Sequence, residues 1–189
     1  MWIKKIEEYN PNNEQERVDQ KAMIAFAKRN SDALLRDNLV AHFTSSAIVL
    51  NTDLSKVLFI HHNIYNSWGW VGGHNDGDED FLSVAIKEAQ EETGVVNIVP
   101  MNKNIQGIDT IYVSNHMKNG KLIPDHVHMN VTFFLIADET EKLVIKEDEN
   151  SGVEWFALEE ALNVIDEPRM RPIYEKLFNR VVRMKKQNN

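Results

Sequence analysis

The stretch 72–95, GGHNDGDEDFLSVAIKEAQEETGV, constrains this chain more than any other. Its first part, 72–78, holds Gly, Asn, Asp and a histidine with no apolar residue, which is loop composition. Asp78, Glu79 and Asp80 then place acids where a helix N-terminus favours them. Phe81, Leu82, Ala85, Ile86 and Ala89 recur at the period of a buried helical face, and Gly94 suits a C-terminal cap. On such a helix Glu88, Glu91 and Glu92 share one side. Like charges at that spacing destabilise a bare helix by roughly 0.2–0.5 kcal/mol per pair. A hard divalent cation, which takes oxygen ligands, turns that repulsion into coordination. A solvated acidic face is the plainer alternative for the glutamates taken alone.

The glycine loop upstream changes that weight. Gly73, Glu79 and the run Lys87-Glu88-Ala89-Gln90-Glu91-Glu92-Thr93-Gly94-Val95 resemble the Nudix box, a G, five residues, E, seven residues, then R-E-U-x-E-E-x-G-U, with U a bulky aliphatic. Both glycines, all four glutamates and the final aliphatic match. Lys87 stands in place of arginine and lacks its bidentate fork; Ala89 is smaller than the usual aliphatic; Val71 replaces a common proline. None of the three removes an expected ligand.

The resemblance implies an α/β (α+β) fold, a Nudix-like α/β/α sandwich around a mixed sheet, over residues 41 to about 165. It implies Mg2+ or Mn2+ held by the Gly73 carbonyl and the carboxylates of Glu88, Glu91 and Glu92. Glu79, Lys87 and Gly94 then maintain the box. The chemistry implied is hydrolysis of a nucleoside diphosphate linked to another group X, with water attacking phosphorus. A general base lies in the box (Glu88, Glu91) or on a later loop, where Glu149 is the candidate.

Composition narrows the alternatives. The chain has 189 residues, 21 basic and 29 acidic, for a net charge of −8. That balance argues against a nucleic-acid partner, which requires lysines and arginines to displace counterions, and so against the variant that acts on RNA 5′ ends. The cluster Arg180, Arg183, Lys185 and Lys186 reads as a solvated helix end. There is no cysteine, which excludes thiolate chemistry and the cysteine-dependent isomerases of the same fold. A non-catalytic nucleotide sensor is the remaining alternative, though such modules usually lose box glutamates. No apolar run reaches membrane-spanning length and the N-terminus lacks a secretory pattern, so a cytoplasmic protein is expected.

In chain order, residues 1–40 read as an N-terminal helical extension and 41–189 as the catalytic domain. A helix is expected over 13–29 and a second short one over 31–36. Strands are expected over 43–50 and 57–61, joined as a hairpin. Trp68 and Trp70 lie two apart, facing one way if extended, and serve either as core or as a base-stacking surface. Residues 105–113 read as a strand, 114–120 as a polar loop with a tight turn at Asn119-Gly120, and 126–137 as a strand on which His126, His128 and Asn130 share a face. His126 and His128 are candidate substrate contacts. Helices are expected over 158–165 and 169–186. The expected partner is a small nucleoside diphosphate derivative; a second copy of the chain is a further candidate.

Overall fold

The computed structural model describes residues 2–118 and 120–187. Helices α1 (Trp2–Glu7) and α2 (Glu14–Arg29) come first. Strands β1 (Ala41–Leu50), β2 (Lys56–His62), β3 (Ser67–Gly69) and β4 (Val71–His74) come next, then helix α3 (Phe81–Thr93). After it are β5 (Val99–Pro100), β6 (Gly107–Val113), β7 (His116–Lys118), β8 (Lys121–Ile123), β9 (His126–Ile136) and β10 (Asn150–Ala157). A 3₁₀ turn (Ala161–Val164) and α4 (Arg171–Gln187) complete the chain. Among the described residues no helix is long and apolar enough to cross a membrane.

The chain divides into two compact units. The first comprises Met1–Ser46, Gly72–Ala85 and Lys103–Phe133; the second comprises Ala47–Val71, Ile86–Asn102 and Phe134–Asn189.

In the first unit, Asn13 caps α2 by accepting the Glu16 N–H at 2.8 Å. Trp2 of α1 packs edge-on against Phe43 and Phe81, with ring centroids 5.0 and 5.8 Å away. Every residue of β1 is buried, as expected of a strand covered on both faces. β1 runs parallel to β9: the Val127 N–H donates to the Val40 carbonyl, and further along both strands Thr44 and Ser46 donate to the Asn130 side chain. β9 pairs antiparallel with β6, Asn130 opposite Asp109.

In the second unit, β10 and β3 each pair antiparallel with β2, and β2 pairs with the end of β1, Val49 opposite Leu58. The end of β9 pairs with β5. α4 packs Tyr174 and Phe178 against Phe59, ring centroids 5.4 and 6.2 Å apart. Each such fully buried ring contributes about 1.5–3 kcal/mol relative to exposure.

Four expectations are corrected. Residues 72–74 form strand, not loop: a Cβ on Gly72 would stand 2.5–2.7 Å from Ser46 Oγ, Ser45 O and Ser46 Cα, so the glycine is what lets β4 lie against β1. Residues 31–36 form isolated turns closed by bonds to the third residue back, Ala33 to Asn30 and Leu35 to Asp32, rather than a helix. The expected loop 114–120 contains β7, which forms a two-stranded ribbon with β8, Met117 opposite Leu122; Asn119, half of the expected turn pair, lies outside the described residues. The expected helix over 158–165 shrinks to the 3₁₀ turn, again with bonds to the third residue back, and the Asp166 N–H goes to Ser67 Oγ at 3.0 Å rather than to a helical carbonyl.

Candidate active site

The turn before α3 is built from short polar side chains. Buried Asn75 accepts from Ser45 Oγ at 3.0 Å and donates to the Asp78 carbonyl at 2.9 Å. Asp78 in turn accepts the Asp80 N–H at 2.8 Å, the local bonding for which Asx residues are favoured in turns. The helix then buries Phe81, Ala85, Ala89 and Glu92. Glu92 therefore lies on the packed side of α3, 4% exposed, while Lys87 and Glu91 face solvent. Gly94 adopts φ +74° and donates to the Gln90 carbonyl at 2.9 Å, as a C-terminal cap should.

The segment packed over Gly94 supplies the third acid. A Cβ on Gly94 would lie 2.6 Å from Val144 Cβ, and the Val144 N–H donates to the Thr93 carbonyl at 2.8 Å. From there a turn over 146–150 closes with the Glu149 and Asn150 N–H groups donating to the Lys146 carbonyl, both at 2.8 Å. Asn150, 1% exposed, donates through Nδ2 to the Glu92 carbonyl at 3.0 Å. Asn63 holds the turn from its other side through the carbonyls of Glu147 and Glu149. Glu88, Glu92 and Glu149 thereby present carboxylate oxygens that all lie within 4.8 Å of one another.

Burial raises the proton affinity of Glu88, with Glu91 and Glu149 adding to it and Lys87 and Lys146 opposing. Lys146 reaches Glu149 at 3.1 Å and Glu91 at 3.5 Å; Lys87 reaches Glu91 at 3.7 Å. Partial burial opposes the charge on Lys146, but Glu149 and Glu91 outweigh it and hold the ammonium above its ordinary pKa. Three converging oxygen donors, one of them buried and one with its charged form disfavoured, fit a hard divalent cation.

The other expected site residues divide between the two units. Gly73 lies in β4 and Glu79 is exposed in the turn before α3, both in the first unit. Trp70 is 8% exposed, its ring 5.2 Å from Tyr174, and its N–H is held by the Tyr174 hydroxyl at 2.9 Å. Trp68 is half-buried against Phe156 and His61. Both tryptophans thus make packing contacts in the second unit.

His126 and His128 belong to a cluster in the first unit. Their Nε2 atoms lie 3.1 Å apart. His42 of β1, His74 of β4 and His128 of β9 offer ring nitrogens that all lie within 4.8 Å of one another, and their strands are neighbours in the order β4, β1, β9. Burial, then nearby Arg36 and His42, push the His74 imidazole down to about 3; burial likewise lowers His42 and His128. Sequence reasoning found neither His42 nor His74, nor Lys146 and Asn150. The acidic loop at 147–150 signalled Lys146 and Asn150 only by proximity; nothing in spacing joined the histidines.

A Nudix domain model matches residues 41–177. The chain belongs to the Nudix family. Its fold is similar to that of a C. elegans Ap4A hydrolase (TM-score 0.55, 16% identity, 74% of this chain and 97% of that one). It is also similar to a Nudix-family hydrolase from Clostridium perfringens (0.52, 19%, 73% and 96%) and to a MutT protein from Methanosarcina mazei Go1 (0.51, 20%, 78% and 96%). No curated protein matches the chain. This Nudix hydrolase therefore carries its box helix as the family expects, and the carboxylate cluster is where that helix meets the turn before β10.

Proposed function

We propose that this Nudix hydrolase is a metal-dependent pyrophosphohydrolase acting on a nucleoside diphosphate linked to another group. The observation that carries this is the convergence of Glu88, Glu92 and Glu149. Glu88 and Glu92, one turn apart on α3, are the ligands, and Glu149, with a carboxylate oxygen within 4.8 Å of both, is the general base. When bound, Mg2+ or Mn2+ supplies charge to the phosphoryl oxygens and lowers the pKa of coordinated water.

The chain's own residues do the rest. Glu149 takes the proton of the attacking water as its oxygen bonds to phosphorus and the anhydride P–O bond breaks, leaving two phosphate products. Lys146 keeps the Glu149 carboxylate oriented at 3.1 Å. The Lys87 and Lys146 ammonium groups hold Glu91 and offset the negative charge that an anionic substrate meets. Asn150 fixes the turn against the box helix.

Hydrolysis of a panel of nucleoside diphosphate derivatives, followed by chromatographic separation of the products, tests this with Mg2+, with Mn2+ and with chelator. The panel includes diadenosine tetraphosphate, the substrate class named for the C. elegans relative, alongside nucleotide sugars and ADP-ribose. Metal-dependent release of two phosphorylated products supports the proposal. Metal-independent release contradicts it, and nucleotide binding with no release under any metal favours the sensor reading.

A further inference from the structure

We propose that His42, His74 and His128 form a second metal site, an all-nitrogen one for a cation of the Zn2+ class. It is separate from the carboxylates, lies wholly within the first unit, and does not depend on the proposed hydrolytic function.

The geometry is that of ligands facing one point. Ring centroids are 5.0 Å apart for His42–His74, 5.0 Å for His42–His128 and 5.1 Å for His74–His128, nearly an equilateral triangle. With a Zn–N bond of about 2.1 Å, three imidazoles in tetrahedral directions have ring centres roughly 5.2 Å apart. The three rings come from three adjacent strands, a rigid base that packing alone does not require to be histidine.

Tautomers point the same way. His42 is 3% exposed and its Nδ1 lies 3.0 Å from the Asn38 carbonyl. A carbonyl only accepts, so Nδ1 carries the proton and Nε2 presents a lone pair. That Nε2 is buried and has no hydrogen-bond partner among the described residues, an uncompensated cost of about 1–3 kcal/mol for a buried acceptor. A cation satisfies it. A ring pinned from behind by a backbone carbonyl is the usual support of a metal-bound histidine.

His126 extends the pattern. Its Nδ1 donates to the Pro124 carbonyl at 2.8 Å, so its Nε2 accepts from His128 Nε2 at 3.1 Å. That leaves His128 Nδ1 as the lone-pair atom. His126 is thus a positioning residue. Five of the seven histidines in the chain (42, 74, 116, 126 and 128) lie within this one unit, and the His116 ring lies tilted 6.1 Å from that of His126.

An anion fits less well. Phosphate needs N–H groups aimed inward, whereas His42 aims a lone pair. The nearby Arg36 is held by both oxygens of Asp76. Soft-to-borderline cations prefer imidazole, whereas Mg2+ prefers oxygen, so the two clusters sort different metals. Three protein ligands leave a fourth position open to water or another donor.

The test uses chelator-treated full chain as wild type, Glu92→Gln, His74→Ala and His128→Ala. Zn2+ binding is measured by calorimetry and Co2+ binding by visible absorption. Circular dichroism and melting in chelator verify that each variant folds. The expected result is a Zn2+ equivalent retained in Glu92→Gln and weakened at least tenfold in both histidine variants. Intense low-coordinate Co2+ bands should show the same pattern. Zn2+ binding lost in Glu92→Gln but kept in both histidine variants overturns the proposal. So does no Zn2+ binding by wild type, or inorganic phosphate perturbing the histidine NMR signals where Zn2+ does not.

Discussion

The carboxylates Glu88, Glu92 and Glu149 and the histidines His42, His74 and His128 are gathered to the same tightness, donor atoms within 4.8 Å in each case, yet by opposite means. Two of the three acids sit one turn apart on a single helix, so their meeting is written in local spacing. The three histidines sit on three strands and meet only because β4, β1 and β9 are neighbours. The acids converge despite mutual repulsion, which Lys146, 3.1 Å from Glu149, offsets only in part. The histidines converge as neutral rings, which burial enforces. Oxygen and nitrogen donor sets of this kind select different cations, and the comparison can be broken at either cluster.

The largest effect is expected at Glu92. Glu92→Gln keeps the packing of α3 but removes a buried carboxylate, and metal-dependent hydrolysis should fall by roughly 10²–10³-fold, the scale of losing a preorganised electrostatic group. Turnover near the wild-type rate would remove Glu92 from the ligand set. Glu149→Gln comes next. Loss of a general base should lower kcat by about 10²-fold, with Mn2+ still bound through α3. A change in KM alone would assign Glu149 to substrate binding instead.

Legibility in the sequence divides along the same line. The helix from Phe81, the one-turn spacing of Glu88 and Glu92 and the cap at Gly94 were readable because helical periodicity is local, whereas Glu91, expected on the same side, faces solvent. The strand expected over 43–50 and its hairpin to β2 were readable from sequence, though β1 begins two residues earlier, at Ala41. The strand at 72–74 was not: glycines and a histidine read as loop, and only contact with Ser45 and Ser46 shows why glycine is required. Lys146 and Asn150 were missed because their roles arise from a turn folding back on α3 across 58 positions. His42 and His74 were invisible because neighbouring strands that are distant in the chain leave no spacing to read.

Smaller effects sharpen the contrast. Glu88 has its folded pKa raised above the usual 4.5, mainly by burial. Its unfolded form ionises first, so stability falls as pH rises from 4.5 through the raised value. Glu88→Gln should therefore raise Tm in chelator at pH 7 by about 1–3 °C, with no gain at pH 4, while lowering metal-dependent activity. A lower Tm at pH 7 would mean that the carboxylate has a stabilising partner in the metal-free fold. The smallest effect is Lys87→Arg, which restores the family residue in an exposed ion pair; turnover should stay within about a factor of two. A collapse would give Lys87 a direct role in the reaction.

The most direct test of the central claim, that Glu88 and Glu92 hold the catalytic cation beside Glu149, is Mn2+ binding by electron paramagnetic resonance. It compares wild type, Glu92→Gln and His74→Ala, with substrate hydrolysis measured on the same samples. The account predicts that Mn2+ binding and activity disappear together in Glu92→Gln and that Mn2+ stays bound in His74→Ala. Mn2+ held as tightly by Glu92→Gln as by wild type, or lost in His74→Ala alone, would contradict it.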